Sequence, residues 1–288
     1  MSTILVTGAS RGIGLSTCLV LARAGHQVLA TMRSPAKAPE LAAAAKQESL
    51  SIAISAMDVD SDGSVRDGMA AIIAKHGTPD VLVNNAGIER RGSVEELAMA
   101  DFKAIMETNY FGAIRCMQAV LPAMRTRGSG CIINVTSISG KISNSPLGAY
   151  AASKFALEGL TESLAQEVRP FGIRVALVEP GIIDTDMAQA ITHADTTSIY
   201  PHSRRMAGLF TASLGTPTSP ELVGNAIRDI VASDSLQLRY PVGPDAASFL
   251  AWRASLTDEE WTAWGAMDDD AWYTAVKRDF GLDARKGS

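Results

Sequence analysis

The chain has 288 residues, 47% of them hydrophobic and 20% charged, with a formal net charge of −5. That is the composition of a folded globular protein with a sizeable core, long enough for one large α/β domain or two small ones. The acidic balance argues against nucleic acid or an anionic membrane surface as a partner, and no run approaches the roughly 18 apolar residues that span a bilayer.

The opening "MSTILVTGAS" is too short an apolar run for a signal peptide and breaks at glycine. Cys18, Cys116 and Cys131 are odd in number and far apart, so reduced, buried thiols in a cytoplasmic protein are the expectation. His26, His76, His193 and His202 have no metal-ligand spacing with each other or with cysteine, and no metal is expected.

Along the chain, short β-branched runs recur: "TILVTG", "HQVLAT", "SIAISAMDV", "DVLVNNAG", "CIINVTS", "IRVALVEPG" and "LQLRYPV". Longer stretches of helical spacing separate them. Continuous apolar strands alternating with helices predict an α/β protein with a parallel sheet covered by helices on both faces, as one domain over residues 1–243. In the helix after Lys154, Leu157, Leu160, Leu164 and Val168 form an apolar stripe, with Glu158, Glu162 and Glu167 off it. Ser219-Pro220 reads as an N-cap followed by proline in the first helical position, and Thr257 with Glu260 has capping-box spacing.

Two regions leave this rhythm. Residues 184–215 mix Met187, Ile191, Met206, Leu209 and Phe210 with His193, His202, Arg204 and Arg205, and read as a long substrate loop. Residues 244–288 form a C-terminal extension that carries all four tryptophans, Trp252, Trp261, Trp264 and Trp272. Tail aromatics at that density pack onto something. Either they cover the body of the domain or a subunit contact, or they wall the substrate pocket.

In the first βα unit, "TGASRGIG" sets Gly8, Gly12 and Gly14 in a GxxxGxG spacing. The spacing differs from GxGxxG, and the P-loop GK[ST] is absent. The physics is nevertheless that of a phosphate-binding turn, in which glycines admit a pyrophosphate to the backbone and helix N–H groups hold it. The second strand ends "VLATMRSP", with Met32 and Arg33 where a carboxylate would accept the ribose 2′-hydroxyl of NAD. Arg33, with Arg11, is suited instead to a 2′-phosphate, so NADP(H) is preferred over NAD(H). Asp58-Val59 ends the third strand, where it would border the adenine ring.

Ser137 is followed thirteen positions later by Tyr150, and Lys154 stands four further on, one helical turn from the tyrosine. A free phenol has a pKa of about 10, so acid–base work near neutrality needs a neighbouring cation to favour phenolate. Taken alone, such a pair is usually an ordinary helix surface. Here it comes with "TGASRGIG", "NNAG" at 84–87, Asn109 in "METNYFG", "YAASK" at 150–154 and "PG" at 180–181. In order and spacing these motifs resemble the short-chain dehydrogenases/reductases over roughly residues 3–243. The "VLATMRSP" strand end, the 184–215 segment and "RYPVG" at 239–243 resemble the branch with 17β-hydroxysteroid and retinol dehydrogenases.

The resemblance implies a Rossmann-like, doubly wound, seven-stranded parallel sheet in the order 3-2-1-4-5-6-7, here with a Trp-rich helical extension, and a homodimer or homotetramer. It implies catalytic roles for Asn109, Ser137, Tyr150 and Lys154. Tyr150 exchanges the proton, Lys154 favours phenolate and holds the nicotinamide ribose, Ser137 donates to the substrate oxygen, and Asn109 holds a water in a proton relay. The implied cofactor cradle comprises Gly8, Ser10, Arg11, Gly12, Ile13, Gly14, Arg33, Asp58, Val59, Asn85, Ala86, Gly87, Tyr150, Lys154, Pro180, Gly181, Ile183 and Thr185. The expected activity is hydride transfer between NADP(H) and a hydrophobic ketone, aldehyde or secondary alcohol. A non-catalytic NADP(H)-binding regulator and a lyase or epimerase of the same fold are the alternatives. No GxSxG elbow supports acyl transfer.

Overall fold

The computed structural model describes residues 1–287. The first half alternates β1 (Thr3–Thr7), α1 (Gly12–Arg23), β2 (Gln27–Met32), α2 (Pro39–Gln47), β3 (Ile52–Ala56), α3 (Asp62–His76) and β4 (Val81–Asn84). Then come α4 (Met99–Met106), a π-helical turn at Glu107–Phe111, α5 (Gly112–Arg127), β5 (Gly130–Val135), α6 (Gly148–Val168) and β6 (Ile173–Pro180). The chain continues through α7 (Asp186–Ile191), α8 (His202–Leu214), α9 (Glu221–Ala232) and β7 (Arg239–Val242), and ends in α10 (Ala246–Ala254), α11 (Asp258–Gly265) and α12 (Asp269–Phe280). All strand pairs are parallel, in the order β3-β2-β1-β4-β5-β6-β7. All seven predicted runs therefore become strands of one sheet.

The sheet is buried on both faces, which is why its strands read as continuous apolar runs. On one face Ile4, Val6, Val28 and Ile133 meet Cys18 and Leu21 of α1 and Val223 and Ile227 of α9. On the other, Leu5, Leu82 and Ile132 meet Met69 of α3, Cys116 and Val120 of α5 and Leu157 of α6. Each fully buried aliphatic side chain contributes about 1.5–3 kcal/mol of transfer free energy. All three cysteines are free thiols in these layers, and burial pushes Cys131 up to about 11 against the pull of the Arg174 charge.

The order reverses between β1 and β4, so the crevice for a ligand opens at the carboxyl ends of the central strands. The glycine turn after β1 and the segments that follow β4, β5 and β6 emerge at that edge.

Residues 184–215 are not a loop but largely helical, as α7 and α8. Met206 and Leu209 sit three apart on α8 and turn inward with Leu147, Ile191 and Trp272, forming a third, smaller core. The spacing of these residues is helical; the charged residues among them obscured it. Arg205 of α8, only 4% exposed, locks the extension in place. It donates to Asp269 at 2.8 Å and to the Met267 carbonyl at 2.8 Å, with its guanidinium 5.8 Å from the Trp272 ring centroid. The Thr257–Glu260 capping box starts α11 as expected. At α9 the cap shifts by one residue: the Ser219 hydroxyl accepts from the Glu221 N–H at 3.2 Å, and Pro220 takes the N-cap position.

Candidate active site

After β1 the chain turns through Gly8 and Gly12 at φ of +66° and +54°, values that favour glycine. A Cβ on Gly8 would lie 2.7 Å from the Ala86 Cα, so this turn is pressed against the end of β4. Thr7 and Asn85 join the two. The Thr7 hydroxyl accepts from the N–H groups of Asn85 and Ala86 at 3.0 and 3.1 Å, and Asn85 Nδ2 donates to the Thr7 carbonyl at 2.9 Å. The first turn of α1 has no side-chain cap and no acidic residue. Uncapped N–H groups, a positive helix end and backbone open to close approach fit a pyrophosphate.

A single cavity begins at this turn, lined by Gly8, Ser10, Arg11, Gly12, Ile13 and Gly14. It passes Arg33, Asp58 and Val59 at one end and Asn85, Ala86 and Gly87 along its floor. It then reaches Ser137, Tyr150 and Lys154, with Pro180, Gly181, Ile183 and Thr185 opposite. Met32 lines the same wall, so no carboxylate stands at the end of β2. Arg11 is drawn to Asp186 at 3.2 Å across the mouth, leaving Arg33 as the cation beside the β2 end.

Tyr150 and Lys154 share a face of α6, with Lys154 Nζ 5.6 Å from the centre of the tyrosine ring. The lysine is 4% exposed, and its Nζ donates to the Val135 carbonyl at 3.0 Å. Burial lowers its pKa to about 8, with the Glu158 charge opposing the fall, so near neutrality it is largely an ammonium. The phenol behaves otherwise than expected. Burial pushes Tyr150 up to about 12; a hydrogen bond with Ser137 opposes the rise, and the charge of Glu89 adds to it. In the protein by itself, desolvation outweighs the Ser137 hydrogen bond.

Ser137 follows β5, its hydroxyl accepting from the Ser139 N–H at 3.0 Å and turned towards the Pro180 carbonyl at 3.4 Å. Asn109 lies in the π-helical turn, buried behind the cavity wall rather than on it. Its Nδ2 donates to the Ile88 carbonyl at 2.9 Å and to the Ser153 hydroxyl at 3.0 Å, and its Oδ1 accepts from the Ile88 N–H at 2.8 Å. It holds the chain beyond β4 against α6.

The far end of the cavity is apolar, closed by Leu147, Ile191, Leu209, Phe249, Trp252 and Trp264. Trp252 meets Trp264 and Phe280 edge to face, with centroids 5.1 and 4.8 Å apart. Both readings of the tryptophans therefore hold in part: Trp272 is buried under α8, while Trp252 and Trp264 wall the pocket.

Two buried features went unread in the sequence. Glu89 lines the cavity with a side chain only 7% exposed. Glu158, placed off the apolar stripe of α6, is in fact buried. It accepts from the Thr136 hydroxyl at 2.7 Å and from Arg239 at 3.0 Å. Arg239 also approaches buried Glu179 at 3.3 Å. Burial and the Glu158 charge push Glu179 up to about 7 against the pull of Arg239. The signal was the arginine in "RYPVG", which lands opposite both acids only once β7 pairs with β6.

Among the described residues there is no cluster of His, Cys, Asp and Glu able to hold a metal ion, and no helix is long and apolar enough to cross a membrane. The pattern of the short chain dehydrogenase family matches residues 2–196. The chain is 37% identical over 272 residues to the uncharacterized oxidoreductase YusZ of Bacillus subtilis, covering 91% of this chain and 95% of that one. It is 38% identical over 235 residues to retinol dehydrogenase 8 of Bos taurus, covering 79% and 75% of the two chains. The crystal structure of a gluconate 5-dehydrogenase from Burkholderia cenocepacia, in complex with NADP and tartrate, superposes with a TM-score of 0.74 at 29% identity, over 86% of this chain and 95% of that one. The chain thus belongs to the short-chain dehydrogenase/reductase family of nicotinamide-dependent oxidoreductases, in its retinol dehydrogenase-like branch.

Proposed function

We propose that the protein is an NADP(H)-dependent carbonyl reductase that converts an apolar ketone or aldehyde to the alcohol, or runs the reverse oxidation. The observation that carries the reading is one cavity lined by the glycine turn, by Ser137, Tyr150 and Lys154, and by an aromatic wall. Arg33, with no acid at the end of β2, supports the 2′-phosphate of NADP(H) as the group read there. The NADP bound by the Burkholderia enzyme is consistent with that choice. The apolar wall and the likeness to a retinol dehydrogenase support a bulky hydrophobic substrate.

When bound, the nicotinamide supplies or accepts the hydride. The protein's own residues handle the proton and the charge. A phenol held up at about 12 keeps its proton near neutrality and is ready to donate it to the carbonyl oxygen, which supports reduction as the favoured direction. Ser137 is placed to donate to the same oxygen as negative charge develops there. The Lys154 ammonium stabilises the phenolate left behind and is suited to the ribose hydroxyls, while Asn109 orders the wall behind it for the proton relay. A homodimer or homotetramer working in the cytoplasm completes the reading.

The test is an NADPH-consumption screen over apolar ketones and aldehydes with Tyr150→Phe alongside. The variant is expected to lose about 10²–10⁴-fold in kcat with NADPH affinity retained. Turnover near that of the parent protein would remove Tyr150 from the role given to it.

A further inference from the structure

Beyond Ser137 and Tyr150 the cavity is lined by an aromatic wall, by the neutral polar residues Ser139 and Asn144, and by one carboxylate, Glu89. Glu89 lies on the chain just after β4, lining the cavity, and its charge is felt by the Tyr150 phenol. Its side chain is 7% exposed, and Oε1 is buried with no hydrogen-bond partner in the protein. Its nearest cation is Arg91, whose Nη1 stands 3.7 Å from Oε2, beyond hydrogen-bond distance. The hydrogen bond that Arg91 does make runs to the His193 carbonyl at 3.1 Å. One oxygen of this carboxylate is thus weakly paired and the other is unpaired. Desolvation raises its pKa, with the charges of Arg91 and Arg90 only partly opposing the rise.

Leaving a buried carboxylate oxygen unpaired is costly, and a protein surface would normally turn it to water. Glu89 lines the cavity, so a turn of its side chain would bring this oxygen to a ligand donor there, which would supply the missing partner. A neutral hydroxyl would satisfy the hydrogen bond alone. A protonated amine would satisfy it and also offset the charge, which in a cavity walled by Trp252, Trp264 and Phe249 is the larger part of the cost.

We propose that Glu89 binds a protonated amine carried near the reacting carbonyl of an otherwise apolar substrate, so that the protein acts on amphiphilic amino ketones or amino alcohols. This rests on the carbonyl-reductase reading for the reaction and on Glu89 alone for the amine. It assigns three zones to one ligand: a chain against the aromatic wall, a carbonyl at Tyr150 and Ser137, and an ammonium at Glu89.

The experiment has a binding arm and a turnover arm. In the first, octylamine and 1-octanol are titrated calorimetrically into protein saturated with NADPH, near neutral pH, for the parent, Glu89→Gln and Glu89→Asp. The amine should bind at least about tenfold more tightly than the alcohol, with the preference lost in Glu89→Gln and partly kept in Glu89→Asp. Equal binding of the two by the parent, tighter binding of the alcohol, or a preference that survives Glu89→Gln would each overturn the proposal. If Glu89→Gln melts early, the shorter carboxylate of Glu89→Asp decides: no preference there, in a protein that still binds NADPH, counts against it.

In the second arm, a ketone with a dimethylamino group one carbon from the carbonyl is compared with its isopropyl isostere. The ratio of their kcat/KM values should fall about tenfold or more in Glu89→Gln, and the ratio cancels any change in Tyr150 common to both. Turnover of both with an unchanged ratio sinks the role of Glu89 and spares the reductase reading. Turnover of neither, with the binding preference intact, sinks the reductase reading and spares Glu89.

Discussion

The two ends of the cavity are built from different materials. At the dinucleotide end the surface is backbone and small residues: Gly8, Gly12 and Gly14, the uncapped start of α1, and Ala86 and Gly87 beyond β4. At the far end it is large side chains, with Leu147 at the N-cap of α6, Leu209 from α8 and Trp252 and Trp264 from α10 and α11. Backbone geometry tolerates almost no added atom. A wall of side chains is reshaped by exchanging one of them. The difference teaches that one end suits a ligand of constant shape and the other a ligand that differs from relative to relative.

Substitutions can break that comparison. The largest effect is expected for Gly8→Ala, whose Cβ would meet the Ala86 backbone at a positive φ. NADPH affinity should fall by about a hundredfold or more, read by fluorescence titration, and a change under twofold would show that the backbone turn is not the determinant. Next is Arg33→Ala, expected to weaken NADPH by about 10–100-fold and NADH hardly at all. Equal weakening of both would remove Arg33 as the reader of the 2′-phosphate. Trp264→Ala should raise KM for bulky apolar carbonyls about tenfold while the Kd of NADPH stays put. If the Kd moved with it, the two ends would not be separable.

The smallest effect is expected behind the cavity wall, where Glu158 and Glu179 lie buried beside β6 against half-buried Arg239. Glu179 has a folded-state pKa raised to about 7, above its ordinary value of 4.5, so the folded protein holds the proton more tightly than the unfolded chain. Its contribution to stability is complete below pH 4.5 and is lost as pH rises through 7. Glu179→Gln mimics the protonated form. It should stabilise the fold by about 1 kcal/mol at pH 8, with the gain shrinking towards pH 4.5, measured by urea unfolding at several pH values. A gain independent of pH would mean that the carboxyl does not titrate in the folded state.

Much of the fold was legible because each strand carries its own evidence. A strand buried on both faces must be apolar throughout, and glycine or "NNAG" marks where two of them end. The cofactor half of the site was legible for a related reason: the glycine turn is local, and its spacing survives in the linear chain. What escaped was every feature whose meaning depends on a distant partner. Residues 184–215 read as a loop because the inward face of α8 is apolar only against Trp272, which arrives some sixty residues later. Glu158 read as solvated because Arg239 is remote in sequence. Glu89 drew no reading at all, because nothing local says that it lines a cavity together with residues of α7, α8 and the extension.

The amino-acid sequence alone determined the succession of the seven strands, the glycine turn, and the pairing of Tyr150 with Lys154, since all of these act over a few residues of chain. Tertiary structure decided the rest. It set how deeply Tyr150 and Lys154 are buried, and so the direction in which each titrates, and it chose which tryptophans face the cavity. The reason is physical: spacing along a helix is written residue by residue, whereas desolvation is a property of everything packed around a group at once.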